Sequence, residues 1–392
     1  MMTPEKSGRS SNSALQAGGL RSIEPRLRAL VVSNMYPSRS SPAFGVFVRR
    51  ITDQMESEGI VVHRTVRTGA GGKMMSYAWF YVKTFFAVLF TKADVIYMHF
   101  ATHSYPPVAL ARCLRAVPLA VHVHGGDIIP DGGSSSTLRN RVLSRIAESA
   151  LAHASLIVAP SRYFAREVEM RHPSTNGKLF VSPSGGVDPA AFPFAPVTTH
   201  RPLHLVFLGR LMSGKGVDYI IPALRLARAR NPERELVFTF AGDGPSRGML
   251  EEQASEAAGV DIRFTGMLDP KQIPELIHSC HALVFPSFRA GESLGLVALE
   301  SMSCGRPVIA ARSGAMEDIV IDGKNGFLFE PADSLSLSLA IDGFLQLDEV
   351  SLSTLSHEAK ATADQFSPVV VGRALYDRLL RFSPDVRGAS RL

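Results

Sequence analysis

From Arg28 onward, short β-branched runs alternate with longer stretches whose apolar residues return every three or four positions. This is the pattern of parallel strands joined by crossover helices. In the first half, ALVVS (29–33), VIYMHF (95–100), LAVHVHG (119–125) and SLIVAPS (155–161) predict strands. The alternation breaks at the Pro-rich PAAFPFAPVTTHRP (189–202), then restarts with HLVFLG (204–209), LVFTFAG (236–242), IRFTG (262–266), ALVFPS (282–287) and PVIAA (307–311). No longer repeat is present, which excludes solenoids and propellers. The pattern predicts two doubly wound α/β domains, over residues 26–190 and 203–366, with a linker over 191–202. A last helix, roughly 367–382 within a C-terminal segment 367–392, is placed beyond the second sheet. Ligands of such domains sit at the C-terminal ends of the strands, here in the crevice between the two.

The longest apolar stretch, MMSYAWFYVKTFFAVLF (74–90), holds Lys83 and is short for a span of about 20 apolar residues. It reads as a helix buried against the first sheet, with a membrane-contacting helix as the alternative. Its aromatic residues, with Lys73, Lys83 and Lys92 nearby, add the expectation of a weak, salt-sensitive contact with a membrane surface. Residues 1–25 are rich in Ser and Gly, lack a secretory apolar run and read as a disordered tail.

Composition adds limits. In 392 residues, 45% are hydrophobic and 20% charged, enough for two packed cores. A net charge of +6 suits anionic substrates or an anionic surface and does not by itself imply nucleic acid as a partner. Only Cys113, Cys280 and Cys304 occur, widely spaced, which argues against a disulfide framework or a zinc site and fits a cytoplasmic protein.

Four segments carry candidate chemistry. In GRLMSGKGV (209–217), Arg210 offers a bidentate fork and Lys215 a point charge, while Gly209, Gly214 and Gly216 let backbone approach an anion. The same string nearly matches the phosphate loop of nucleotide triphosphatases, but Gly216 stands where a hydroxyl must hold magnesium. In AGDGPSRG (241–248), Gly242 and Gly244 fit a glycine-rich turn, with spacing one residue too long for the dinucleotide fingerprint. In PSFRAGESLGLVALESMSCGRPVIAA (286–311), Glu292 and Glu300 stand eight residues apart on a helix pattern beginning near Leu294. Were that stretch all helical, the carboxylates would lie about 12 Å apart, the scale of a diphosphate between ribose and sugar. The N–H groups around Ser293, Leu294 and Gly295 would cap the helix where a phosphate belongs. A serine-hydrolase elbow, G-E-S-L-G with Ser293 as nucleophile and His357 downstream, is the competing reading. In the first half, the loop 33–50 ends in Gly45 before a helix, a candidate contact to donor phosphate or acceptor. HVHGGD (122–127) sets His122 and His124 on one strand face; a metal needs further ligands, so His124 reads as a cleft residue bonding a sugar hydroxyl.

Together, G-R-x4-K-G, A-G-D-G-P, Glu-x7-Glu with G-R-P-V-I-A, and G-G-V-D (185–188) resemble glycosyltransferase family 4, over roughly residues 28–382. The resemblance implies the GT-B fold, two Rossmann-like domains facing a central cleft, and a retaining hexosyltransferase. It implies a UDP- or GDP-sugar donor, a glycan or lipid-linked acceptor and no bound metal or other cofactor. On it, Arg210 and Lys215 bind the diphosphate and stabilise the leaving group, Glu300 bonds the ribose, Glu292 approaches the donor sugar, and His124 lies near the transferred sugar. Ser313 departs from the family's G-G-x-x-E string, which ends here at Glu317. The NMYPS…FGVFV pattern looks most like members that build bacterial cell-surface polysaccharides, at or near the inner face of the plasma membrane. Outside this family, a nucleotide-sugar epimerase is the further alternative.

Overall fold

The computed structural model describes residues 27–39, 41, 44–69, 73–129, 138–197 and 202–383. The tail expected over 1–25 lies outside these, as do residues 198–201 of the expected linker.

Two six-stranded sheets organise the chain. The first contains β1 (Arg28–Tyr36), β2 (Val61–Thr68), β3 (Val95–His99), β4 (Leu119–His122), β5 (Leu156–Ala159) and β6 (Leu179–Val181), in the order β2-β1-β3-β4-β5-β6. The second contains β7 (Leu203–Leu208), β8 (Leu236–Ala241), β9 (Val260–Gly266), β10 (Ala282–Phe285), β11 (Val308–Ala311) and β12 (Gly326–Phe329), in the order β12-β11-β10-β7-β8-β9. Every pairing between these strands is parallel. The central strands are buried on both faces, which is why they read as continuous apolar runs.

Each sheet carries helices on both faces. On one face of the first lie α2 (Lys73–Phe90), α3 (Tyr105–Arg112), α4 (Leu138–Ala152) and α5 (Arg162–Arg171), whose inward residues share a core with β1, β3 and β4. The other face is covered by α1 (Val46–Ser57) and by α13 (Pro368–Leu379). The last helix therefore packs on the first sheet, with Leu375 and Leu379 beside Ile51 and Met55. Its apolar stripe needs a partner, and α1 supplies one close enough that a Cβ on Gly372 would meet Gln54 at 2.5 Å. The second sheet is flanked by α6 (Ile220–Arg230), α7 (Arg247–Ser255), α8 (Ile273–Ser279), α9 (Leu296–Ser303), α10 (Met316–Ile319), α11 (Ser334–Leu345) and α12 (Glu349–Asp364).

Helix α2 is buried on one side only. Phe80 and Val88 face the core at 2% and 1% exposure, whereas Trp79 and Phe90 stand 69% and 77% exposed. No helix among the described residues is long and apolar enough to cross a membrane.

The expected linker is no free tether. Ser303 Oγ donates to the Phe192 carbonyl at 2.8 Å, and the buried Arg306 guanidinium donates to carbonyls of Ala195, His278, Cys280 and Cys304 at 2.5–2.9 Å. Ser303 and Arg306 thus clamp residues 192–195 to the second domain. The chain leaves the first domain near Ser182–Val187 and returns near Phe366–Pro368, and these passages touch. Val187 N–H donates to the Phe366 carbonyl at 2.9 Å, and a Cβ on Gly186 would lie 2.3 Å from the same oxygen.

Candidate functional site

Between the sheets lies a cleft of about 320 Å³ lined by residues that follow strand ends. Phe47 and His124 enter from the first domain and Ser184 from the chain passage. The second domain supplies Gly209, Lys215 and the run Glu292 to Gly295. Seven residues singled out in the sequence thus meet in one place, although up to 171 positions separate them along the chain.

The loop after β7 turns sharply. Gly216 takes φ 71°, and a Cβ there would lie 2.2 Å from the Pro286 carbonyl. A serine or threonine cannot stand at that position, so the magnesium hydroxyl of a triphosphatase loop has no place here. Lys215 forms an ion pair with Glu292, whose carboxylate also accepts from Ser287 Oγ at 3.0 Å. Arg210 is exposed and outside the cleft lining. Gly242 and Gly244 support the loop from beneath: Cβ atoms on them would lie 1.9 Å from Gly209 O and 2.2 Å from Leu211 O. Neither lines the cleft, so their smallness serves the close seating of one loop on another.

Helix α9 begins at Leu296, capped by Gly295 in the left-handed region at φ 79°. The glycine ends the preceding turn, so Glu292 lies before the helix, and the all-helical spacing between the two carboxylates does not apply. Glu300 does lie on α9, outside the cleft lining. Its side chain, 13% exposed, pairs with Arg50 of α1 at 3.4 Å. Nothing in the sequence signalled Arg50, because the contact joins opposite domains. Gly45 sets its position: at φ 74° it passes so close to Met35 that a Cβ would lie 2.8 Å from that carbonyl. Gly45 thereby starts α1 where Phe47 reaches the cleft and Arg50 reaches Glu300.

Burial raises the Glu300 carboxyl above its ordinary value, and Arg50 pulls it partly back. A raised carboxylate binds its proton more tightly in the folded state, so stability falls as pH rises through the folded pKa. Glu300→Gln is therefore expected to be at least as heat-stable as the parent at pH 7 and to lose that advantage towards pH 4. A variant melting below the parent at pH 7 would mean that the Arg50 pair outweighs desolvation.

Under the first domain's side of the cleft lies a stack of His99, His122 and His124. His99 and His124 rings are 5.2 Å apart at 14°, and His122 and His124 are 4.4 Å apart at 20°. His99 Nδ1 shares a hydrogen bond with His124 Nε2 at 2.9 Å, and Tyr97 OH with His122 Nδ1 at 2.8 Å. Burial holds all three neutral, His122 down to about 3 and the others well below the ordinary imidazole value. Their nitrogens lie within 4.8 Å of one another. Three of the ring nitrogens are already engaged, His99 Nδ1 with His124 Nε2 and His122 Nδ1 with Tyr97 OH. Asp127 fixes the turn that follows, accepting the N–H groups of His124 and Ala101 at 2.9 and 3.0 Å.

The two domains touch at this point. Ser293 Oγ donates to the His124 carbonyl at 3.1 Å, and a Cβ on Gly125 would lie 2.3 Å from Gly291 O. This disposes of the hydrolase elbow: Ser293 is bonded to backbone, and His357 caps Ser353 O on α12 while packing on Phe194.

Comparison with known proteins agrees with this geometry. A glycosyl transferase 4-like domain model matches residues 25–185, and a glycosyl transferases group 1 model matches residues 192–362. The chain is 29% identical over 257 residues to a glycogen synthase of Mycobacterium tuberculosis, a match covering 65% of this chain and 60% of that enzyme. It is 29% identical over 256 residues to a D-inositol 3-phosphate glycosyltransferase of Pseudarthrobacter chlorophenolicus, covering 60% and 59%. This chain therefore spans about 60% of the length of those relatives. Among solved structures, Anabaena HepE in complex with UDP superposes with a TM-score of 0.66 at 20% identity, over 90% of this chain and 99% of that one. One family model spans the first sheet and the other the second, with the cleft between them: the chain belongs to the family 4 type of glycosyltransferases and has the GT-B fold.

Proposed function

We propose that this protein transfers a hexose-type sugar from a UDP- or GDP-sugar to a glycan or lipid-linked acceptor. The observation that carries the reading is the cleft itself, where Lys215, the backbone of 293–295 and His124 face one space from both domains. A cation beside a helix N-terminus suits a diphosphate, and the His124 imidazole packed against Phe47 suits a sugar. Relatives named for sugar transfer and a neighbour solved with UDP support the donor class. The acceptor class and a role in cell-surface polysaccharide assembly rest on the NMYPS…FGVFV resemblance.

Transfer proceeds with retention on this reading. Glu292 is the one carboxylate among the cleft-lining residues, and it is tied to Lys215 and Ser287. Double displacement needs a free carboxylate nucleophile and a second acid–base group. Front-face attack needs neither: the departing phosphate takes the acceptor proton, and fixed charges stabilise the leaving group.

Thermal shift with UDP, GDP and ADP, followed by transfer from the matching sugars, tests the proposal. A ligand at 100 times its Kd adds about 2.7 kcal/mol to stability. Ser293→Ala is expected to keep transfer measurable. Absence of stabilisation by every nucleotide, or esterase activity lost with Ser293→Ala, would overturn the reading. Metal independence is a separate expectation, because Lys215 and the N–H groups of 293–295 do what magnesium does elsewhere. Rates in excess chelator should match those with magnesium; loss restored by one divalent ion would contradict this.

A further inference from the structure

The outward face of α2 carries an apolar stripe, with the exposed Lys83 beside it. Met75, Trp79, Val82, Phe86 and Phe90 recur every three or four residues, 49–77% exposed, over about 22 Å of helix. Phe86 and Phe90 stack on each other outside the fold, ring centroids 6.0 Å apart and planes 9° apart. The neighbouring helices of the same sheet face also expose apolar residues, Leu110 on α3, Leu114 just after it, and Leu138 and Val142 on α4. Scattered apolar residues need no explanation, but a continuous aromatic stripe does.

Charge identifies the occupant. Lys83, Lys92, Arg139, Arg141 and Arg145 are exposed on and beside these helices. Among the described acidic residues from 73 to 152, Glu148 alone is exposed; Asp94 is held by Arg28, and Asp127 by backbone N–H groups. Aromatic side chains that float at a bilayer interface, ringed by cations that meet head groups, match an anionic lipid surface. A second copy of the same face would set cations against cations.

We propose that the face formed by α2, α3 and α4 docks the protein onto an anionic phospholipid bilayer, with the rings of α2 at the level of the acyl boundary. Docking rests on this face alone and not on the sugar-transfer reading. What it would do for a lipid-linked acceptor does rest on that reading. Tyr77, near the start of α2, bonds Asn34 at the C-terminal end of β1, so this end of the helix lies at the end of the sheet where the cleft opens.

Trp79 is the protein's single tryptophan and lies on the stripe, which gives a reporter without labelling. The full chain is mixed at low salt with vesicles of phosphatidylcholine containing phosphatidylglycerol, with and without brominated acyl chains, and with phosphatidylcholine alone. Expected are co-flotation, a blue shift of emission and bromine quenching with the anionic vesicles, all weakened by high salt. Lys83→Gln, Arg141→Gln and Arg145→Gln combined should weaken vesicle affinity roughly 100-fold, at about fivefold per cation. Phe86→Asp, a substitution at an exposed site, should abolish quenching and keep the parent's melting temperature. Solvent-like emission without co-flotation at low salt would overturn the proposal. So would a concentration-dependent dimer with Trp79 shielded before vesicles are added, or equal binding to neutral vesicles. No donor sugar enters the experiment, so failure here is distinguishable from failure of the transfer assay.

Discussion

Lys215→Ala is expected to lower sugar transfer by roughly 10²–10³-fold, the loss seen when one preorganised group facing developing charge is removed. Breaking the bond to the nucleoside diphosphate puts charge on the departing phosphate, and Lys215 is the cation lining the cleft. Without substrate that charge is balanced by Glu292, which Ser287 also holds. The ammonium is thus kept in place beforehand, and little reorganisation is required when a phosphate arrives. The effect should fall on kcat more than on KM, because charge at the leaving oxygen grows towards the transition state. Folding should change little, since the pair is partly solvated and the remaining Glu292 keeps Ser287. Arg210, exposed at the loop's outer side, should show a smaller loss than Lys215 in the same assay. Near-parental turnover in Lys215→Ala would remove the central assignment.

Acidification from pH 7.5 to 5.5 is expected to remove roughly 3 kcal/mol of stability through His99 and His122 alone. Both rings are fully buried and held neutral in the fold. In the unfolded chain they titrate near 6.5. Their folded pKa values are depressed, so their contribution is complete above 6.5 and is lost progressively as pH falls below it. Asp127 and Glu300, whose carboxyls burial raises, act in the opposite sense. Urea midpoints measured across this range in a Glu300→Gln background remove one opposing carboxyl, and His122→Asn should reduce the loss by about 1.4 kcal/mol. A flat profile in that background would show that water or protonation reaches the stack.

The central strands of both sheets were legible because burial on both faces leaves an unbroken apolar run. The edges were not. Strand β2, VVHRTVRT, is half exposed and carries His63, Arg64 and Arg67, as charged edge strands do to deter further pairing. Strands β6 and β12 hold only three and four residues and lie at sheet edges, where burial on one side leaves a weaker apolar run. The candidate site was legible where chemistry is local, in the loop around Lys215 and the turn at 291–295. It was not where contacts cross the fold. His99 looked like an ordinary strand residue, yet β3 and β4 pair so that His99 falls opposite His122. Arg50 and Glu300 are 250 residues apart, and only the assembled domains bring them together. The helix pattern read from near Leu294 begins at Leu296, because Gly295 in the left-handed region ends the preceding turn.

The two chain passages between the domains lie against each other, joined by Val187 N–H and the Phe366 carbonyl and crowded at Gly186. Placed together, they act as one pivot. Swinging the domains apart about it twists a few residues and stretches no long tether. The resistance to such a swing then comes from across the cleft, where Arg50 meets Glu300 and Ser293 meets the His124 carbonyl. In mechanical terms the paired passages form a hinge and the cross-cleft contacts its jaws. Substitutions at the jaws should alter how often it gapes, and substitutions near the pivot should alter the direction in which it does so.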